Sequence, residues 1–270
     1  MTQFIITNKF VENKNASDII TYLIDNVITK ILFDNVSDSE KLKSILLNTP
    51  ENIKSIYFIT YDYKIYRLIS NFIKTTKIEK IGFINIRDDR DENGNELFNM
   101  FDLIADNKYI KKADLSGSIS YLYNLNKLFS IKSLKHICFN SSDEIDTLLD
   151  NLMENKNLIK ITMNGATMRL ISEISFALIF NKTLKYLKIN DKLGYRDLYL
   201  ISKMLDINKS LLKIKYNWHA KNLELHNNIQ QKLLRNRQLF ASIIDNHTRV
   251  IFYISEMMEF YVNLPINVYD

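Results

Sequence analysis

Cysteine is nearly absent: Cys138 is the single copy in a chain of 270 residues. No intrachain disulfide can form, so packing and hydrogen bonds must hold the fold, as in proteins of reducing compartments. Proline is down to two residues and glycine to five, so other residues must end the helices. No stretch approaches the roughly 20 apolar residues that cross a bilayer. The start, Met1 to Lys9, has neither the basic head nor the apolar core of a secretory signal. The four histidines, His136, His219, His226 and His247, show no zinc spacing. A glycine-rich phosphate loop and a serine nucleophile elbow are missing as well. Catalysis, a cofactor and a metal are therefore not expected.

What is present is a repeat. Asn155 opens the run Asn-Lys-Asn-Leu-Ile-Lys-Ile-Thr-Met-Asn, and Asn181 opens Asn-Lys-Thr-Leu-Lys-Tyr-Leu-Lys-Ile-Asn. Eight copies share apolar first, fourth and sixth positions, Ala113 being the small exception. They begin at Ile28, Ile53, Ile78, Ile110, Leu134, Leu158, Leu184 and Leu211, spaced by 25, 25, 32, 24, 24, 26 and 27 residues. Periods of this size mark a solenoid.

Two periodicities alternate within each copy. The fourth and sixth positions skip a residue, so they share one face of a short strand. Between strands the spacing turns helical: Ile65, Leu68, Ile69, Phe72 and Ile73 form one stripe. Ile145, Leu148, Leu149 and Leu152 form another, as do Leu198, Ile201, Met204 and Leu205. One strand–helix pair cannot bury both stripes, whereas a stack of them can. Asn107, Asn155, Asn181 and Asn208 each stand three residues before the next first position. They are expected to close helices in the left-handed conformation, with the lysine after each beside the helix C-terminus.

The Asn-Lys-x-Leu-x-x-Leu junctions at 155–161, 181–187 and 208–214 resemble those of ribonuclease-inhibitor-like leucine-rich-repeat proteins. The resemblance implies an α/β solenoid, a horseshoe with a parallel concave sheet and helices on the convex face. Its second asparagine departs from the family: Asn140, Asn164, Asn190 and Asn217 fall one position beyond the sixth rather than three. The expected organisation is an N-terminal cap at 1–26, about eight repeats at 27–220, and a helical C-terminal cap at 221–270. In the first cap, Phe4 to Ile6 reads as an edge strand and Ser17 as the N-cap of a helix over 18–25. Leu223–Leu234 reads as a helix, with the apolar residues of 239–262 closing the last repeat or forming a dimer contact. A monomer is expected rather than a dimer. The insertion from Asp89 to Gly94 matches the first half of an EF-hand loop, but Met100 stands where the bidentate Glu belongs. It reads as a charged surface loop.

Strand residues at the third, fifth and seventh positions point away from the core. At the N-terminal end these include Leu32, Tyr57, Ile59 and Ile84, an apolar patch. At the C-terminal end they include Lys188, Lys213 and Lys215, with Lys185 nearby. Tyr57, Ile59, Ile84, Lys185, Lys188, Lys213 and Lys215 are the candidate partner-binding residues. Asp114, His136 and Cys138 fall on neighbouring outward positions, the only grouping that evokes a nucleophile and a base.

The formal charge is +5, and residues 206–249 alone carry eight Lys and Arg against three Asp and Glu. The first functional expectation is a non-catalytic module that binds a partner protein, with a host protein as one case. The alternative is a binder of nucleic acid or anionic membrane through that basic region. Cysteine-poor, Asn/Lys/Ile-rich chains of this kind resemble secreted effectors of intracellular bacteria, and also proteins of large DNA viruses. The effector resemblance implies virulence, delivery by type IV secretion, with which Glu256 and Glu259 are compatible, and a cytoplasmic or host-cytosolic location.

Overall fold

The structure, a computed structural model, describes residues 3–34, 36–59, 63–84, 104, 106–117, 129–140 and 149–244. The EF-hand-like loop and residues 245–270 lie outside the described residues.

The alternating segments become strands: β1 Gln3–Thr7, β2 Lys30–Asp34, β3 Ser55–Ile59, β4 Lys80–Ile84, β5 Lys112–Gly117, β6 His136–Asn140, β7 Lys160–Asn164, β8 Tyr186–Leu193 and β9 Lys213–Trp218. They form one sheet in chain order, and every neighbouring pair is parallel. The fourth positions meet across the ladder, Ile31, Ile56, Ile81, Ala113, Ile137, Ile161, Leu187 and Ile214 in turn. A period of two fixes this, because a one-residue slip would turn each buried set to solvent.

The helical segments become α1 Asn8–Asn13, α2 Ala16–Asp25, α3 Ser39–Leu47, α4 Tyr63–Thr75, α5 Asp150–Glu154, α6 Met168–Phe180, α7 Tyr195–Ile207 and α8 Leu223–Ile244. Successive helices pack side by side, α2 on α3, α3 on α4, and α5 through α8 in sequence. Their apolar stripes meet the fourth and sixth strand positions in one continuous core. Phe33, Phe58 and Phe83, all sixth positions, stack there nearly parallel, with centroids 5.5 and 5.7 Å apart. Each unit therefore buries its faces only against its neighbours.

The expected edge strand forms: β1 pairs with β2 in the repeat's own register, Phe4 to Ile31 and Ile6 to Phe33, as the first of nine strands. Two expectations change at this level. Asn15, not Ser17, caps α2: its side chain accepts the Asp18 N–H at 2.8 Å, and the helix already begins at Ala16. α8 runs past Asn236 without a break.

The largest correction concerns the helix-ending asparagines. Asn155, Asn181 and Asn208 have φ of −62°, −68° and −72° with ψ of 117–125°, extended rather than left-handed. They act through their side chains instead. The Asn181 amide donates to the carbonyls of Leu152 at 2.7 Å and Asn155 at 3.0 Å, while its oxygen accepts the N–H groups of Thr183 and Leu184. Asn208 repeats this one unit on, donating to Leu178 and Asn181 and accepting from Ser210 and Leu211. Asn107 and Asn155 reach back in the same way, to Ile73 and Thr76 and to Phe129. Asn236, inside α8, closes the series on the carbonyls of Asn208 and Leu211. Two of the four lysines take the expected role: Lys182 donates to the Ile179 carbonyl and Lys209 to that of Asp206.

Left-handed geometry does occur at one non-glycine residue among those described, Val27, with φ of 49°. A β-branched side chain is badly placed there, at a cost of about 1–2 kcal/mol. Val27 is 66% exposed, so its packing offsets little of that cost. Val27→Gly should therefore stabilise the protein by about 1 kcal/mol, read as a higher urea midpoint with an unchanged slope.

Candidate interaction face of the sheet

One face of the sheet carries the core and the helices. The other presents the third, fifth and seventh positions of nine strands. Register sorts these residues into rows that run across the sheet. The row of fifth positions reads Ile5, Leu32, Tyr57, Gly82, Asp114, Cys138, Thr162, Lys188, Lys215. It passes from apolar to cationic along the stack.

The apolar end is flatter than the sequence suggests. Tyr57 is only 8% exposed. Its ring lies over Gly82: a Cβ built there would fall 2.1 Å from the Tyr57 Cδ1. The Lys30 ammonium sits 4.2 Å from the ring centroid. Burial, then the charges of Asp114 and Cys138, push the Tyr57 hydroxyl pKa upward. Leu32 and Ile59 are half-buried, and Ile84 stands opposite Ile59 in the register. Ile5, which sequence reasoning left in a cap, is 48% exposed and extends this end by one strand.

The cationic end is a cleft of about 370 Å³ lined by Lys160, Tyr186, Leu187, Lys188, Lys213 and Lys215. Lys160, Tyr186 and Lys213 are successive cross-strand partners, as are Thr162, Lys188 and Lys215. The like charges act on one another: the Lys160 pKa is held down, first by burial and then by Lys112, Lys188 and Lys215. Lys185 does not join them. Its ammonium lies 5.2 Å from the Phe240 ring on α8, where burial lowers its pKa. So six of the seven candidate residues stand at outward strand positions, while Lys185 belongs to the contact with the last helix.

A second hollow, about 610 Å³, adjoins the cleft where β9 meets α8 and shares Lys188 and Lys215 with it. In its wall the Tyr216 hydroxyl lies 3.1 Å from His226 Nδ1, and Trp218 stacks on that imidazole at 4.3 Å. Burial pushes Tyr216 up to about 12 and lowers His226. Between these hollows and the loops runs a side-chain ladder. The Asn164 amide donates to the Asn140 oxygen at 2.7 Å, and Asn190 donates in turn to Asn164. A register shift in β8 moves the next rung, so Asn217 donates to the Asn190 main-chain carbonyl instead.

Asp114, His136 and Cys138 sit on adjacent strands as expected, but the imidazole is engaged elsewhere. His136 Nε2 lies 3.2 Å from the Thr162 hydroxyl, and Cys138 is buried. Asp114 lies 3.9 Å from the Lys112 ammonium. Among the described residues no group of three His, Cys, Asp or Glu could hold a metal. No described helix is long and apolar enough to cross a membrane. The helix side carries large apolar exposure that the repeat pattern did not reveal: Phe176 and Phe180 of α6, 49% and 52% exposed, meet edge to face at 5.4 Å.

No family model matches the chain, and no curated protein matches it. Among solved structures, one similar chain is Leiomodin-1 Actin-Binding Site 2 (ABS2), 18% identical over 53% of this chain and 72% of that chain, with a TM-score of 0.35. At that score the likeness assigns neither a partner nor an activity here.

His136 generates a pH test. Burial and the lysines at 160, 112 and 80 outweigh Asp114 and lower its pKa from 6.5 to about 4. The unfolded chain then binds a proton near pH 6.5 that the folded chain refuses until about pH 4. Stability contributed at neutral pH is therefore lost as pH falls through that window. His136→Gln should flatten the fall in urea midpoint between pH 7 and pH 4.5; an unchanged slope would contradict the assignment.

Proposed function

We propose that the chain is a leucine-rich-repeat solenoid, bent into a horseshoe, that binds a partner protein on the concave face of its parallel sheet without catalysing a reaction. The observation that carries this is the graded face itself. Nine strands present apolar side chains at one end and lysines at the other, with α8 beside the last of them. An apolar area joined to a polar, charged one is the anatomy of a protein–protein interface. Delivery as a bacterial effector into a host cell rests on composition and resemblance alone.

The cleft supports a second reading, in which its lysines hold nucleic acid or anionic lipid. The two readings differ in salt dependence, because exposed charges are screened over about 3 Å at 1 M salt. The test is capture of a partner from a host-cell lysate by the intact protein and its substituted forms. A partner retained in about 1 M salt, lost on Ile59→Asp and kept on Phe176→Asp, is the expected result. Loss on Phe176→Asp alone would move the interface to the helix side. Loss of all capture in salt, with retention of duplex DNA or anionic vesicles at low salt, would favour the second reading.

A further inference from the structure

We infer that the segment of the partner seated on this face is an extended peptide with an acidic cluster at one end and an apolar side chain about seven residues away. The inference rests on the protein-binding reading above and adds the chemical pattern of what is bound.

The acidic cluster follows from the cleft. Lys160, Lys188, Lys213 and Lys215 come from three neighbouring strands, and adjacent strands lie about 4.8 Å apart. Four ammonium groups thus gather within two strand spacings, and no acidic residue is among the six that line the cleft. Burial first, and then the charges of Lys112, Lys188 and Lys215, lower the Lys160 pKa, so the neighbouring ammonium groups add to the cost of its charged form. An anionic occupant relieves that repulsion and satisfies several ammonium groups together.

The apolar anchor follows from the opposite end of the row. Leu32 and Ile59 of β2 and β3 remain half-exposed beside the flattened Tyr57 ring, with Ile5 beyond them. From β3 to β8 is five strand spacings, about 24 Å. An extended chain rises about 3.3 Å per residue, so about seven residues cover that span. A phosphodiester backbone carries charge at every step and has nothing to offer Leu32 and Ile59. A peptide changes character along its length as this face does, which is why a protein segment is favoured over nucleic acid.

The test uses the full chain and three fluorescent probes followed by anisotropy. The first probe is a tetraglutamate peptide. The second carries the same glutamates with a Leu-Phe pair seven residues on, through a Gly-Ser spacer. The third is a 20-base-pair DNA duplex. The second probe should bind at least about tenfold tighter than the first. Lys188→Glu with Lys215→Glu should weaken both peptides by about tenfold or more. The milder Lys188→Gln with Lys215→Gln should give a smaller loss in the same direction. Lys203→Glu, on the exposed side of α7, should leave both within about twofold. Leu32→Asp should remove only the increment of the second probe.

Equal binding of the two peptides would overturn the paired pattern. So would DNA that binds as tightly as the second probe with the same dependence on Lys188 and Lys215. Lysate capture that is indifferent to the Lys188 and Lys215 substitutions but lost on Ile59→Asp would sink this inference and leave the protein-binding reading standing.

Discussion

The structure depends on one interaction repeated along the stack: a buried asparagine amide that joins one unit to the unit before it. Asn181, Asn208 and Asn236 are each fully buried. Where a helix ends, several carbonyls lose their intrahelical partners, and inside a core they cannot turn to water. In Asn181 and Asn208 the amide NH2 bridges two such carbonyls of the preceding unit, and in Asn236 it bridges one, that of Asn208, and the Leu211 carbonyl beyond it. The oxygens of Asn181 and Asn208 also gather the N–H groups that open the next strand. Burial of the apolar stripes drives the units together, and the amides fix the offset at which they stop.

That fixed offset gives the open face its character. With every strand in the same phase, a residue type at one position of a repeat becomes a row across the sheet. The fifth positions run from Ile5 and Leu32 to Lys188 and Lys215. Charges that are 27 residues apart in sequence, Lys188 and Lys215, become cross-strand neighbours. Burial chiefly lowers the Lys160 pKa, and the converging charges of Lys112, Lys188 and Lys215 lower it further.

The repeat phase was legible because it is carried by the period of apolar residues alone. Ile137, Ile161 and Leu187 are neighbours for the same reason that they share a position in the pattern. The role of Asn155, Asn181 and Asn208 was misread because an asparagine at a helix end has two physical uses. Backbone conformation and side-chain bridging leave the same letter at the same place. The burial of Tyr57 was hidden because it depends on Gly82 in another strand, 25 residues on. Lys185 reads like its neighbours in the repeat, and only the passage of α8 draws it away. The apolar exposure of Phe176 and Phe180 follows from which side of α6 the next helix leaves open, which periodicity does not encode.

The central claim is that buried amides, not the exposed asparagine ladder, set the stack. Urea unfolding of Asn208→Ala against Asn190→Ala tests it directly. Asn208→Ala strands the Leu178 carbonyl and the Leu211 N–H in the core, leaves the Asn181 carbonyl only the Ser210 hydroxyl, and should cost about 3 kcal/mol or more. Asn190 is exposed, and its loss should cost under about 1 kcal/mol. Equal losses, or an Asn208→Ala protein as stable as the parent, would contradict the account.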